Sequence, residues 1–503
     1  MGIKAVLESA SRDGLALTFD DVRLKTGYAE VMPDDVSTES RFSRNVGLKI
    51  PIVSAAMDTV TESKMAIGIA KLGGLGVIHK NMTIEEQAVQ VAKVKHHLNG
   101  RIDKPITVSD GQSISEILAM VEEKGYSFRS FPVMDAEGRM VGLLTGNDFD
   151  FCSDAALLAR DLMTKEFVHG DSRTDLKQSY DLMRTRKKKV LPLLDEQSRL
   201  TGLYIFSDVK RILTGRANTF NTDSKERLRV AAAIGAGPEA LRRADRLIRE
   251  DVDVIVIDTA HGDSRPVVET LAALKRESPH VDVVVGNVSV GESVERLASA
   301  GADGIKVGQG PGSICTTRII AGIGRPQVSA IYESAKVADR YGVPICADGG
   351  ISSSGDITIA IGAGASSVML GNLLAGVDEA PGEIMFMQGK PCKSYRGMGS
   401  LGAMASNKES RERYNQRDPR KDCLVPEGVE GVVPYKGTVN EVMIQYVGGL
   451  RRGMGYVGAA SIEELRAKGD FDRITNSGMM ESHPHDITIT KDSPNYRERN
   501  REI

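Results

Sequence analysis

Two rhythms of apolar residues alternate along most of this chain. Short runs rich in Val, Ile and Ala read as strands buried on both faces: IPIVSAAMD (50–58), LGVIHK (75–80), VDVIVID (252–258), VDVVVGNV (281–288), ADGIKVG (302–308), VPICADGG (343–350) and ASSVMLG (365–371). Between them lie stretches with apolar residues three and four apart, the spacing of one helix face: ESKMAIGIAKLGG, SRPVVETLAALKRES, GESVERLASAG, QVSAIYESAKVADRYG and SSGDITIAIGAG. Near-continuous apolar strands alternating with helices predict a parallel sheet covered on both sides. Such units on one core predict an α/β fold of the (β/α)8 TIM barrel type rather than a doubly wound sheet. In a barrel the chemistry sits on the loops after the strands. The polar and glycine-rich signals fall there: SAAMD, IDTAHGDS, GNV, VGQGPGSICTTR, ADGGI and MLGN.

The pattern breaks in the middle of the chain, where a repeat takes over. FPVMDAEGRMVGLLTGNDF (131–149) aligns with LPLLDEQSRLTGLYIFSDV (191–209), so Pro132 falls on Pro192, Gly142 on Gly202 and Asp148 on Asp208. Each copy reads as helix, strand, polar turn, strand, and an aspartate opening a helix. Two such copies pack on each other to close one core. The segment resembles a tandem pair of CBS modules, a Bateman domain. We expect the barrel to occupy residues 1–100 and 216–503 and the insert residues 101–215, with one module at about 101–155 and the other at about 160–215. The resemblance implies purine nucleotide effectors held by Asp148 and Asp208. Asp148 keeps a threonine three residues earlier, whereas Asp208 has Ile205 there. From the residues alone, both aspartates read equally as helix caps. RTRKKK (184–189) reads as a phosphate-binding face or as a solvated helix end.

Composition narrows the function classes. The chain has 503 residues, 41% hydrophobic and 26% charged, with a formal net charge of −3. That balance gives no basic footprint for nucleic acid. No run of 18 apolar residues occurs, so no membrane partner is expected. MGIKAVLESASRDG lacks the layout of a signal peptide, and Val6 breaks a myristoylation pattern. Five cysteines (Cys152, Cys315, Cys346, Cys392, Cys423) have no metal-type spacing and suit a reducing, cytoplasmic location.

One of these cysteines stands apart. GADGIKVGQGPGSICTTR (301–318) strips the backbone of side chains just before Cys315. Such a loop lets amides face an anion or carbonyls face a cation. A thiol among aligned amides gains thiolate character and nucleophilicity. The alternatives from the residues alone are a phosphate cradle, a cation loop, a nucleophile's seat or a buried thiol in a tight turn. Ser313 and the amides of Gly349, Gly350 and Gly371 could meet a phosphate. SNKESRERYNQRDPRKDCLVPEG (406–428) is polar and aperiodic, the profile of a long functional loop.

Several stretches together carry a resemblance to the inosine-5′-monophosphate dehydrogenase family: PIVSAAMDTVTESKMAIGIAKLGGLGVIHKNM (51–82), GPGSICTTR (310–318), ADGGI (347–351), SYRGMGSLGAM (394–404), RY (413–414) and VPEGVEGVVPYKG (425–437). The resemblance implies that Cys315 adds to C2 of the purine of IMP, that hydride passes to NAD, and that water then releases XMP. It assigns Asp348 to the ribose, and Ser313, Gly350, Gly371 and Tyr395 to the phosphate. Asn372 takes a position where serine is common. Met398, Gly399 and Glu427 surround the base, and Ser54 and Met57 line the same pocket. Asp258, Asn287, Gly308 and Gly310 fall on the cofactor side. Carbonyls of Gly310, Gly312 and Cys315 would hold a monovalent cation, K⁺, completed by Glu481, Ser482 and His483 of a neighbouring subunit. That implies a homotetramer, possibly pairing to an octamer. Residues 406–428 become a mobile flap in which Arg413 and Tyr414 activate water, with Thr317 and Glu427 as partners. Gln309 departs from the apolar residue usual at its position. Two rival readings remain: GMP reductase, whose family pattern carries SSE where this chain has GSL (399–401), and a nucleotide-sensing regulator with an inactive barrel.

Overall fold

The computed structural model describes residues 4–97, 100–103, 105–124, 126, 128–152, 154–214, 219–414, 416, 420, 423–491 and 493–496. Eight parallel strands close into a barrel: β1 (Ile52–Ser54), β2 (Leu75–Ile78), β3 (Ala231–Ile234), β4 (Val254–Asp258), β5 (Asp282–Val288), β6 (Gly304–Val307), β7 (Ile345–Asp348) and β8 (Ser367–Leu370). Each pairs with its neighbours in chain order, and β8 returns to β1 through Val368↔Ile52 and Leu370↔Ser54. The expected barrel is therefore the observed one.

The strand pattern explains the closure. Side chains alternate across a strand, so one set fills the barrel and the other packs beneath the helices. The interior is Val53, Leu75, Val77, Ala231, Ala233, Val254, Val256, Val284, Cys346 and Met369, all buried. β3 was missing from the apolar runs read off the sequence, because AAAI carries little strand propensity. It is held by pairing on both sides, Ala231↔Val77 and Ala231↔Val254, and its small side chains fit between larger neighbours. Outside, helices such as Gln327–Arg340, Ser354–Gly362 and Val439–Val457 bury their apolar faces. The last of these begins at a Thr438/Glu441 capping box and ends at Gly458, whose φ of 75° suits a left-handed helix terminus. A three-stranded antiparallel sheet (Ile384–Met387, Lys390–Arg396, Glu430–Pro434) follows β8 and carries Tyr395.

The chain divides into two compact units, one comprising residues 1–95, 219–221 and 228–503, the other 96–218 and 222–227. The boundary expected at 215 abuts residues 215–218, which lie outside the described residues. The second unit contains two three-stranded sheets of the same order, Val108–Ser109 with Phe131–Met134 and Met140–Leu144, and Gly170–Asp171 with Val190–Leu194 and Leu200–Ile205. A register shift falls between Val133 and Met134 in one and between Leu193 and Leu194 in the other, at equivalent positions of the repeat. Asp148 accepts hydrogen bonds from the Thr145 amide (2.6 Å) and hydroxyl (2.8 Å), closing a capping box. Asp208 is buried, accepts from the Ser207 hydroxyl at 3.2 Å and lies 3.7 Å from Arg211. RTRKKK does not continue its helix, which ends at Thr185; Lys187 then adopts a φ of 53° in a turn. Like charges four apart, at Arg184 and Lys188, and a left-handed residue both disfavour another helical turn. Among the described residues, no helix is long and apolar enough to cross a membrane.

Since each unit has its own buried core, replacing residues 101–215 by a short flexible linker should leave a barrel that melts cooperatively. Circular dichroism checks this. Loss of cooperative unfolding would show that the barrel depends on the insert.

Candidate active site

The C-terminal ends of the strands converge on one buried lysine. β6 alternates Gly304 and Lys306 inward and Ile305 and Val307 outward. Lys306 thus projects into the barrel just beneath the loops, with its side chain 2% exposed. Burying an ammonium is costly unless it is paired and hydrogen-bonded. Its Nζ meets Asp258 Oδ1 at 2.9 Å and Asp348 Oδ2 at 2.6 Å, and donates to Asn287 Oδ1. Asn287 in turn donates to Asp348 Oδ2 (2.9 Å) and to the Gly308 carbonyl (2.6 Å). Space for this comes from Gly286, where a Cβ would stand 2.6 Å from Lys306 Cβ. Lys306 was not singled out from the sequence; its signal was a lone cation inside the apolar run ADGIKVG.

Above this cluster lies a cavity of about 420 Å³. The loop after β6 forms one wall, with Gly308, Gly310, Gly312 and Ser313 leading to Cys315. Gly310 has a φ of 79°, and a Cβ there would lie 2.5 Å from Arg318 Cγ. Cys315 is half-buried, and its Sγ lies 3.2 Å from Thr317 Oγ1. Two backbone hydrogen bonds fasten this loop to the segment around Glu427: Thr316 N to Glu427 O and Val429 N to Ile314 O, each 3.0 Å. Met57, Asp348, Gly350, Gly371, Asn372, Tyr395 and Met398 line the same cavity, as do Asp258, Asn287, Thr317, Arg413, Tyr414 and Glu427. Burial pushes the Tyr395 hydroxyl up, above the ordinary phenol range, so it stays a neutral donor. Cys346, inside the barrel, is pushed up to about 12 by burial, which leaves it inert.

Some expected residues lie elsewhere. Ser54 is fully buried behind the wall and accepts a hydrogen bond from the Thr61 hydroxyl at 2.9 Å. Gly399 is not in the wall either; it makes room for Tyr414, whose ring carbon would lie 2.5 Å from a Cβ at 399. Glu481, Ser482 and His483 do not line the cavity of their own chain; His483 pairs with the Tyr496 hydroxyl at 2.9 Å. Gln309 also lines the cavity. It accepts from the Ser289 hydroxyl at 2.6 Å, and its amide nitrogen stands 3.1 Å from His261 Nδ1.

The segment expected to be a flap, 406–428, follows a short helix, Leu401–Ser406, and opens with another, Lys408–Arg413. Residues 415, 417–419, 421 and 422 of it lie outside the described residues. Arg413 forms an ion pair with Asp258, and its carbonyl accepts from the Ala260 amide at 3.2 Å. Tyr414 follows directly, and burial raises its hydroxyl above the usual range. Asp258 therefore joins two cations, Lys306 from below and Arg413 from above. With the helix seated, Asp258 and Asp348 face Lys306 and Arg413.

Lys306→Met would leave Asp258 and Asp348 as buried carboxylates without their shared cation. We expect a loss of about 3–5 kcal/mol at neutral pH, read by urea unfolding. A change below about 1 kcal/mol, the worth of an exposed pair, would contradict the buried-hub reading.

Comparison with known proteins fits this arrangement. Residues 16–485 match the IMP dehydrogenase / GMP reductase domain family. The chain is 47% identical to the inosine-5′-monophosphate dehydrogenase of Aquifex aeolicus over 493 residues, covering 97% of this chain and 99% of that protein. It is 45% identical to the enzyme of that name from Bacillus subtilis over 492 residues, covering 97% and 98%. A solved structure of a cysteine-to-alanine variant of Trypanosoma brucei GMP reductase, in complex with guanosine 5′-monophosphate, superposes with a TM-score of 0.86 at 39% identity, covering 94% of this chain and 98% of that one. With the match running through the barrel, the cysteine loop and the insert alike, this chain belongs to the IMP dehydrogenase / GMP reductase family.

Proposed function

We propose that the protein oxidises IMP to XMP with NAD, through a covalent bond to Cys315. The observation that carries this reading is the seating of Arg413 on Asp258, beside Tyr414 and in the cavity that holds Cys315. A hydrolytic step needs groups that position water over a thiol-bound purine, and this helix brings them there. The relatives named inosine-5′-monophosphate dehydrogenase support the same choice.

In this reading Asp348 orients the ribose, and Ser313, Gly350, Gly371, Asn372 and Tyr395 receive the phosphate. The Cys315 sulfur attacks C2 of the hypoxanthine ring, and C2 gives up its hydride. NAD supplies the hydride acceptor, with Asp258, Asn287, Gly308 and Gly310 facing its nicotinamide riboside. Splitting oxidation from hydrolysis is what a covalent nucleophile makes possible. Once the reduced cofactor leaves, Arg413 takes its place on Asp258. Water is then positioned by Arg413, Tyr414 and Thr317, with Glu427 as a carboxylate relay. A guanidinium stays protonated and has no acceptor to offer, so a relay through Thr317 and Glu427 is the ordinary acid–base route.

A monovalent cation, K⁺, belongs to the same reading. The cysteine loop offers carbonyl oxygens of Gly310, Gly312 and Cys315, the donor chemistry a hard cation takes. Bound there, K⁺ would supply a fixed point for the loop that carries the nucleophile. We place Glu481, Ser482 and His483 of the neighbouring subunit of a homotetramer beside it. The insert is read as a CBS pair whose Asp148 and Asp208 meet purine nucleotides. Asp148 is already engaged as a helix cap, so its carboxylate would serve both tasks.

GMP reductase is the second reading, favoured by the Trypanosoma brucei structure. The expected result is NADH formation from IMP and NAD, stimulated by K⁺, and no NADPH consumption with GMP. Cys315→Ala should abolish turnover while IMP still binds by calorimetry, because phosphate and ribose meet other residues. Oxidation of NADPH by GMP alone would favour the reductase, and turnover by the alanine variant within tenfold of the parent would end the nucleophile assignment.

A further inference from the structure

The helix that delivers Arg413 is held at a second point, one turn earlier. Residues four apart share a helix face, so Glu409 and Arg413 address the barrel together. Glu409 meets Arg243 Nη2 at 2.7 Å, with side-chain exposures of 18% and 3%. Arg243 comes from the helix after β3 (Pro238–Ile248). Its guanidinium is fixed by the barrel independently of Glu409: Nη1 and Nη2 each donate to the Met82 carbonyl at 3.1 Å, and Nη1 donates to Gln87 at 2.9 Å. One edge of a preorganised, buried cation is thus left for the carboxylate. Beside it, the Ser410 hydroxyl donates to Asn81 at 2.9 Å.

The helix therefore presents a negative and then a positive charge, and the barrel presents a positive and then a negative one. Seating the helix one turn out of register would place Arg413 against Arg243. Such opposed pairs set register by excluding the alternative. We propose that Glu409 and Arg243 form a positioning pair that fixes the depth and register of the flap helix, so that Arg413 and Tyr414 reach the Cys315 adduct. This rests on the hydrolysis reading above. Glu409 touches no reacting atom in it.

The test uses the full chain carrying Glu409→Gln, with IMP and NAD in rapid mixing. The first turnover of NADH should keep the parent's rate and amplitude, because hydride transfer precedes helix seating. Steady-state turnover should fall about thirtyfold or more, the lower end of the range for truncating one partner of a buried charge pair. Intact-protein mass should show a larger fraction carrying the purine adduct. A dinucleotide analogue should bind the variant more tightly, because the helix competes with it less well. A fold change alone would move neither readout in these directions. Glu409→Asp should recover part of the loss, and Glu409→Gln combined with Arg243→Gln should lose little more than the worse single variant. Steady-state turnover within twofold of the parent, or loss of the first turnover in step with the later ones, would overturn the proposal. If the parent forms no NADH from IMP and NAD, the reading of the reaction fails first, and the pair with it.

Discussion

Everything at the mouth of this barrel is arranged around the buried ammonium of Lys306. It binds Asp258 and Asp348 to each other across the strand ends and holds Asn287 between them. Those two carboxylates come from opposite sides of β6, one from β4 and one from β7. Without a shared cation they would repel in a water-poor setting. Pinned together, they both line the cavity that holds Cys315. The cysteine loop is anchored to the same cluster, because Asn287 also donates to the Gly308 carbonyl. The cysteine loop and the carboxylates are thus referenced to one point inside the barrel.

Asp258 is the member of this cluster whose partner changes in the proposed cycle. Lys306 and Asp348 already neutralise one another, so an uncovered Asp258 leaves one negative charge facing the cavity. Arg413 cancels it when the helix is seated. A positively charged nicotinamide could cancel it in the alternative state. Two cations competing for one carboxylate make the two half-reactions mutually exclusive, which keeps water-activating groups away from the purine until the cofactor has gone. The uncovered charge cannot be satisfied by both at once, and no hinge is needed to enforce the order.

Much of this was legible in the sequence, for definite reasons. Runs such as VDVIVID and VPICADGG are apolar on both faces, and only a covered parallel sheet uses such strands. Two of the glycines before Cys315 leave no room for a Cβ: Gly308 runs against the Asp348 carbonyl and Gly310 against the Arg318 side chain. The third strand was not legible, since AAAI is strand only through its two neighbours. Lys306 escaped notice because it sits within a run read for hydrophobicity, although alternation places it inward. Arg243 and Glu409 lie 166 residues apart, and nothing local announces their meeting. Gln309 is visible as a departure, but its partners, Ser289 and His261, come from the loops after β5 and β4 and appear only in the fold.

In the proposed cycle Arg413 serves hydrolysis and not hydride transfer. Rapid mixing of Arg413→Ala with IMP and NAD tests this most directly. The expected result is a burst of NADH about equal to the enzyme concentration, followed by steady-state turnover lower by about 10²–10⁴, the range for lost acid–base assistance. A burst that shrinks in proportion to the steady state would contradict it, placing Arg413 in binding or in hydride transfer.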